Sequence, residues 1–181
     1  MTITPPIVYI DAVVFAYRLL LTGGQRGFSK GTSFFLDLQN RRYVGVTSSF
    51  TVMEYRGLAK RAISRASGLA VTPAEESTAM QDLENFLTRM AIRNDDSDLL
   101  ATNQTLLPSR SDIYASAEPI IINSGTYLHQ VKNEWRSIGG ADSLVTIFAE
   151  RLGASFIATF DLGFKNLAHP TIKPIMIQEV Y

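Results

Sequence analysis

Residues 7–15, Ile-Val-Tyr-Ile-Asp-Ala-Val-Val-Phe, decide how the rest of the chain is read. Ile7 to Ile10 is wholly apolar and rich in β-formers, and it follows Pro5 and Pro6. A run without polar alternation predicts a strand buried on both faces, as in a parallel sheet covered by helices. Asp11 stands at its carboxyl end, and Val14 to Leu21 reads as a helix stopped by Gly23 and Gly24. A carboxylate between two such apolar runs is placed to be buried, and a buried carboxylate needs a partner.

Working outward, Ser29 is the expected cap of a second helix with Phe34, Phe35 and Leu38 on one face, ending near Asn40. Tyr43 to Thr47 reads as a second strand. Ser48 or Ser49 can cap a helix on which Val52, Tyr55, Ala59, Ala62, Ile63 and Ala66 recur at near-helical spacing. Gly68 ends it, and Pro73 opens another carrying Met80, Leu83, Phe86, Leu87 and Met90. Asn94 to Asp98 reads as a polar loop. From there to Gly140 the pattern is helical but interrupted, with Pro108, Pro119 and Gly125 as breakers. Ala141 to Leu152 is an amphipathic helix on Leu144, Val145, Phe148 and Leu152, closed by Gly153. Ser155 to Thr159 follows as a buried strand with Asp161 just beyond it. Ile172 to Ile177 is expected at a sheet edge, because Pro174 has no N–H to give a ladder. Short apolar strands alternating with helices predict an α/β fold, a parallel sheet flanked by helices on both faces, in one domain over residues 1–181.

Composition narrows the chemistry. Of 181 residues 46% are hydrophobic and 19% charged, with 17 basic residues balancing 17 acidic ones, so a folded globule is expected rather than a polybasic tail or an acidic solvating chain. No Cys is present, which removes disulfides, thiolate nucleophiles and Cys-ligated metals; two distant His residues leave no multi-histidine site. A bound metal would have to be held by carboxylates, which favours a hard cation such as magnesium or manganese. The most apolar stretch, Ile7 to Leu21, is broken by Asp11 and Arg18 and is shorter than the ~20 residues of a membrane span. Met1 to Pro6 carries no Lys or Arg, so no secretory leader is expected and a cytoplasmic location is.

Parallel sheets bind ligands beyond the carboxyl ends of their strands, where strand order reverses. Asp11 and Asp161 both occupy such positions. Asp142 lies in the first turn of a helix and Glu54 early in the helix after the second strand. Taken singly, Asp142 also reads as a helix-start acid, Glu54 as a solvated residue and Asp161 as a turn former. Gathered together they would repel and raise each other's pKa unless a cation neutralised them.

The order and surroundings of these acids resemble the PIN-domain nucleases, in particular the VapC-like toxin ribonucleases of prokaryotic toxin–antitoxin pairs. The matching segments are Val8 to Asp11, Thr47 to Glu54, Gly140 to Val145 running on to Ala154, and Phe156 to Phe164. Only about Thr72 to Ser137 lacks a landmark. The resemblance implies a five-stranded parallel sheet, a magnesium or manganese ion held by Asp11, Asp142 and Asp161, and Glu54 completing the catalytic set. Thr159 matches a hydroxyl position that bonds the cluster. The chain departs from the pattern at Ala12 and Val13, where Ser or Thr and then a small polar residue usually follow the first acid, and at Gly163, where a polar or acidic residue is common. The implied activity is hydrolysis of RNA phosphodiesters by an activated water. A small antitoxin partner and a homodimer follow from the resemblance alone.

Phosphate binding needs basic groups. Arg56, Lys60, Arg61 and Arg65 cluster on the helix that carries Glu54, and Arg41 and Arg42 precede it. Trp135 and Tyr127 are available to stack on bases or to pack in a core; His129 and His169 read as structural. Two other functions remain open: a non-catalytic PIN-like module that binds RNA or protein, suggested by Ala12 and Val13, and another magnesium phosphotransfer enzyme. The haloacid-dehalogenase pattern needs an acid where Val13 stands, and no phosphate-binding Gly-x-x-x-x-Gly-Lys-Ser/Thr loop exists.

Overall fold

The computed structural model describes residues 4–21, 27–94, 110–129 and 134–181. Its centre is β1 (Ile7–Ile10), followed by α1 (Ala12–Leu19) and α2 (Phe28–Gln39). Next come β2 (Val44–Thr47), α3 (Ser49–Ser67), α4 (Pro73–Arg89) and the two-residue β3 (Arg93–Asn94). The second half contributes α5 (Arg110–Asn123), β4 (Tyr127–His129), β5 (Glu134–Arg136) and α6 (Gly140–Arg151). β6 (Phe156–Thr159), a 3-10 turn (Leu162–Asn166), β7 (Lys173–Met176) and α7 (Ile177–Val180) complete the chain.

Five strands form one sheet in the order β3-β2-β1-β6-β7, with every neighbouring pair parallel. β1 is central, and the chain leaves it first toward β2 and later returns on its other side as β6. The strand order therefore reverses between β1 and β6, and a crevice opens beyond their carboxyl ends. Side chains alternate across β1 as a pleat requires. Val8 and Ile10 enter a core with Phe15, Phe34, Phe35, Tyr55, Leu83 and Phe86, drawn from α1 to α4. Tyr9 enters the opposite core with Val46, Val145, Ile147, Ile157 and Phe164. Both faces are thus covered, and β7, bearing Pro174, is at the edge as expected.

Local signals explain most helix ends. Thr72 and Glu75 form a reciprocal capping box around Pro73, and Gly68 closes α3 with a φ of 69°. Ser48, rather than Ser49, caps α3 by accepting from the Thr51 N–H at 3.3 Å. Four expectations are corrected. α1 begins at Ala12, not Val14, because Asp11 in extended conformation is its N-cap. Gly27, not Ser29, precedes α2; it adopts a φ of 96°, and a Cβ there would sit 2.3 Å from the Tyr17 ring. Pro119 lies inside α5 instead of ending it; its ring is exposed while Ala117 and Ile120 on either side pack into the core shared with α6. Asn94 belongs to a strand pairing with Thr47; residues 95–98 of the expected loop, and Pro108, lie outside the described residues. The antiparallel β4–β5 pair was not expected at all. Among the described residues no helix is long and apolar enough to cross a membrane.

Candidate functional site

Asp11 leaves the end of β1 with its backbone N–H donating to the Ala158 carbonyl at 3.1 Å. Only 7% of Asp11 is exposed. The Thr159 hydroxyl donates to Asp11 Oδ2 at 2.6 Å and accepts from the Asp161 N–H at 2.9 Å. One hydroxyl therefore ties the ends of β1 and β6 together and fixes the first carboxylate. The Ala12 N–H gives Asp11 a second hydrogen bond. These two donors supply the orientation that the side chains of Ala12 and Val13 cannot.

The remaining acids arrive from three other elements. Asp142, in the first turn of α6, accepts from the Gly139 N–H at 2.8 Å. Asp161, before the 3-10 turn, accepts from the Gly163 N–H at 2.8 Å. Both therefore also serve the helix-start and turn roles open to them. Glu54 comes from the second turn of α3. All four carboxylates line one cavity of about 370 Å³, with Arg61, Ala12 and Val145 among its other walls.

Tyr9 carries no site motif, yet its side chain anchors the helix that bears Glu54. Its buried hydroxyl bonds Ser48 Oγ at 2.5 Å and Thr51 Oγ1 at 2.6 Å, pinning the start of α3 to β1. The signal was present: a tyrosine in an aliphatic buried strand must find a partner for its hydroxyl. Thr47 adds a hydrogen bond to the last carbonyl of β1, Ile10 O, at 3.1 Å.

Crowding of like charge in a dry place shapes the electrostatics. Burial pushes the Asp11 carboxyl up to about 6, and Asp161 and Asp142 add repulsion that the hydrogen bonds from Thr159 and Ala12 only partly offset. Glu54 is raised to about 7, by burial first and then by Asp11 and Asp142. Burial also raises Asp142, with Asp161 adding to it and the Gly139 N–H opposing.

Among the described residues no group of three or more Asp, Glu, His or Cys side chains is placed to hold a metal ion. The acids lining the cavity offer carboxylate oxygens, the donor type a hard cation would take, and the cavity has room for water beside them. Gly163 keeps the space between two of the acids open. A Cβ there would lie 3.2 Å from Asp161 Oδ1, 3.4 Å from Asp142 Oδ2 and 3.0 Å from the Ser137 carbonyl oxygen. Gly163→Ala is expected to cost about 1–3 kcal/mol, since the backbone oxygen cannot swing aside. Urea unfolding of the variant measures the effect.

The basic residues divide. Arg56 and Lys60 both pair with Glu76 of α4, the Lys60 contact being 2.7 Å. Arg61 folds back over Gly57, its Nη1 3.8 Å from where a Cβ would stand, and reaches the carboxylate cavity. Arg65 lies one turn further along α3. Arg41 and Arg42 do not join them: they precede β2, at the opposite end of the sheet from the acids, and Arg42 pairs with Asp37 at 3.1 Å. Trp135 is 69% exposed on β5 and packs in no core. His169 is structural as expected, its Nδ1 accepting from the Ile172 N–H at 3.1 Å. The side chains of Tyr127 and His129 lie outside the described residues. No model of a known protein family matches this sequence, and no curated protein matches it either.

Proposed function

We propose that the chain is a magnesium- or manganese-dependent endoribonuclease with a PIN-like fold. One observation carries the reading: Asp11, Glu54, Asp142 and Asp161, from four separate elements, line a single cavity at the switch point of a parallel sheet. Asp11, Asp142 and Asp161 would hold the cation, which when bound offsets their repulsion and the charge building on the phosphoryl oxygens. Thr159 keeps Asp11 turned toward the cavity. Glu54, with a pKa near neutrality, is suited to take a proton from the attacking water. The antitoxin partner and the homodimer stand on the sequence resemblance alone.

A second reading, a non-catalytic PIN-like module that binds RNA or protein, is favoured by the backbone caps that engage Asp142 and Asp161. Metal removal separates the two. A single-stranded RNA carrying a fluorophore and a quencher should be cut in the presence of manganese or magnesium. Cleavage should stop in EDTA and return when manganese is added in excess. No cleavage with any divalent ion would leave the binding module.

A further inference from the structure

We infer that a single RNA strand leaves the carboxylate cavity along α3, its phosphates held by Arg61 and Arg65, while Glu76 competes with those phosphates for Arg56 and Lys60. The inference rests on reading the site as one that handles RNA, and it adds a path and an internal regulator of affinity.

A second recess, of about 500 Å³, is lined by Lys60, Arg61, Ser64, Arg65 and Val71. Arg61 also lines the carboxylate cavity, so the two concavities share this residue as a wall. Arg61 lies along the helix surface over Gly57, one turn earlier, its Nη1 3.8 Å from where a Cβ would stand, an ordinary van der Waals contact. From Glu54 to Arg65 the helix advances about 16 Å, so the recess continues the cavity lengthwise and does not merely sit beside it.

Charge distinguishes two stripes on α3. Arg61 and Arg65 are four residues apart and share a face, where two cations repel unless an anion joins them. Among the described residues neither has an acidic partner. Arg56 and Lys60, also four apart, are joined by the one carboxylate of Glu76 reaching across from α4. A phosphodiester backbone can neutralise the first stripe at once and the second only by displacing Glu76. Glu76 therefore sets how many phosphates the helix engages.

The test is fluorescence anisotropy with a short labelled single-stranded RNA, over a salt series, in EDTA so that the strand stays intact. Arg61→Ala with Arg65→Ala should weaken binding and reduce the slope of log affinity against log salt by about 1.4, two phosphate contacts on a single strand. Replacing both by Lys should restore the slope and exclude a folding defect. Glu76→Gln should bind more tightly than wild type, with a steeper slope. Arg42→Ala, at the far end of the sheet, should match wild type. A double alanine variant that binds like Arg42→Ala, or Glu76→Gln binding no more tightly than wild type, would overturn the inference. Metal-dependent cleavage that persists unchanged in the double alanine variant rejects the path alone; RNA held by Arg61 and Arg65 without cleavage by any metal rejects only the nuclease reading.

Discussion

Asp11→Asn is expected to abolish RNA cleavage and, in the same molecule, to make the metal-free fold more stable. Both effects follow from one carboxylate placed where folding alone would not put it. Asp11 is buried, and its pKa of about 6 against an ordinary 3.8 means that its ionised form is opposed by the fold at neutral pH. At 1.36 kcal/mol per unit, that opposition amounts to about 3 kcal/mol above pH 7. The amide removes the charge and keeps an oxygen to accept from Thr159. It endangers only the bond from the Ala12 N–H, worth about 1 kcal/mol. A net gain of about 2 kcal/mol is expected, or about 4–8 °C in melting temperature in EDTA at pH 8. The same amide is a poor ligand for a hard cation, so cleavage should fall at least about a hundredfold. Loss of activity with unchanged or lower stability would make Asp11 a structural acid. Gain of stability with full activity would remove it from the reaction.

Such an acid could be seen in the sequence because its surroundings are so apolar. Ile-Val-Tyr-Ile allows no solvated face, so both the strand and the burial of the following aspartate were legible. Capping chemistry is equally local, which is why Ser48, Gly68 and Pro73 set boundaries that the structure keeps. What was not legible depends on distance. Gly27 takes the place expected of Ser29 because a ring from α1 closes over it, a contact no local pattern encodes. β3 is two residues long and exists only by pairing with β2, so it carries no periodicity to read. Pro119 continues a helix whose neighbours pack on α6, so tertiary packing outweighs the lost hydrogen bond. At the site, the acids could be nominated one at a time, but the Thr159 hydroxyl linking Asp11 to Asp161 spans 148 residues. The pairing of Arg56 and Lys60 with Glu76 was hidden for the same reason: their helical spacing was plain, the carboxylate that neutralises them was not.

The second large effect is a dependence of stability on pH that a divalent ion should cancel. Asp11 and Glu54 both titrate higher in the folded chain than in the unfolded one. Between about pH 4 and pH 7 the folded state thus holds protons that the unfolded chain has released, and stability falls as pH rises. The contribution is whole below about pH 4, where both states are protonated, and is lost as the pH passes the folded values of about 6 and 7. Asp11 accounts for about 3 kcal/mol at most; Glu54, half-exposed, adds less because solvent screens it. About half of the Asp11 contribution is still present at pH 5, so with the screened share of Glu54 these two groups should, in EDTA, draw the melting temperature down between pH 5 and 8 by roughly 4–8 °C. Manganese binds only the ionised carboxylates, so at about a hundred times its dissociation constant it should restore about 2.7 kcal/mol at pH 8 and little at pH 5. Melting curves with manganese and with EDTA at both pH values test this directly. A manganese shift as large at pH 5 as at pH 8 would place the ion away from these carboxylates. No shift at either pH would mean that the four acids take up no manganese even when ionised, and the nuclease reading would fall.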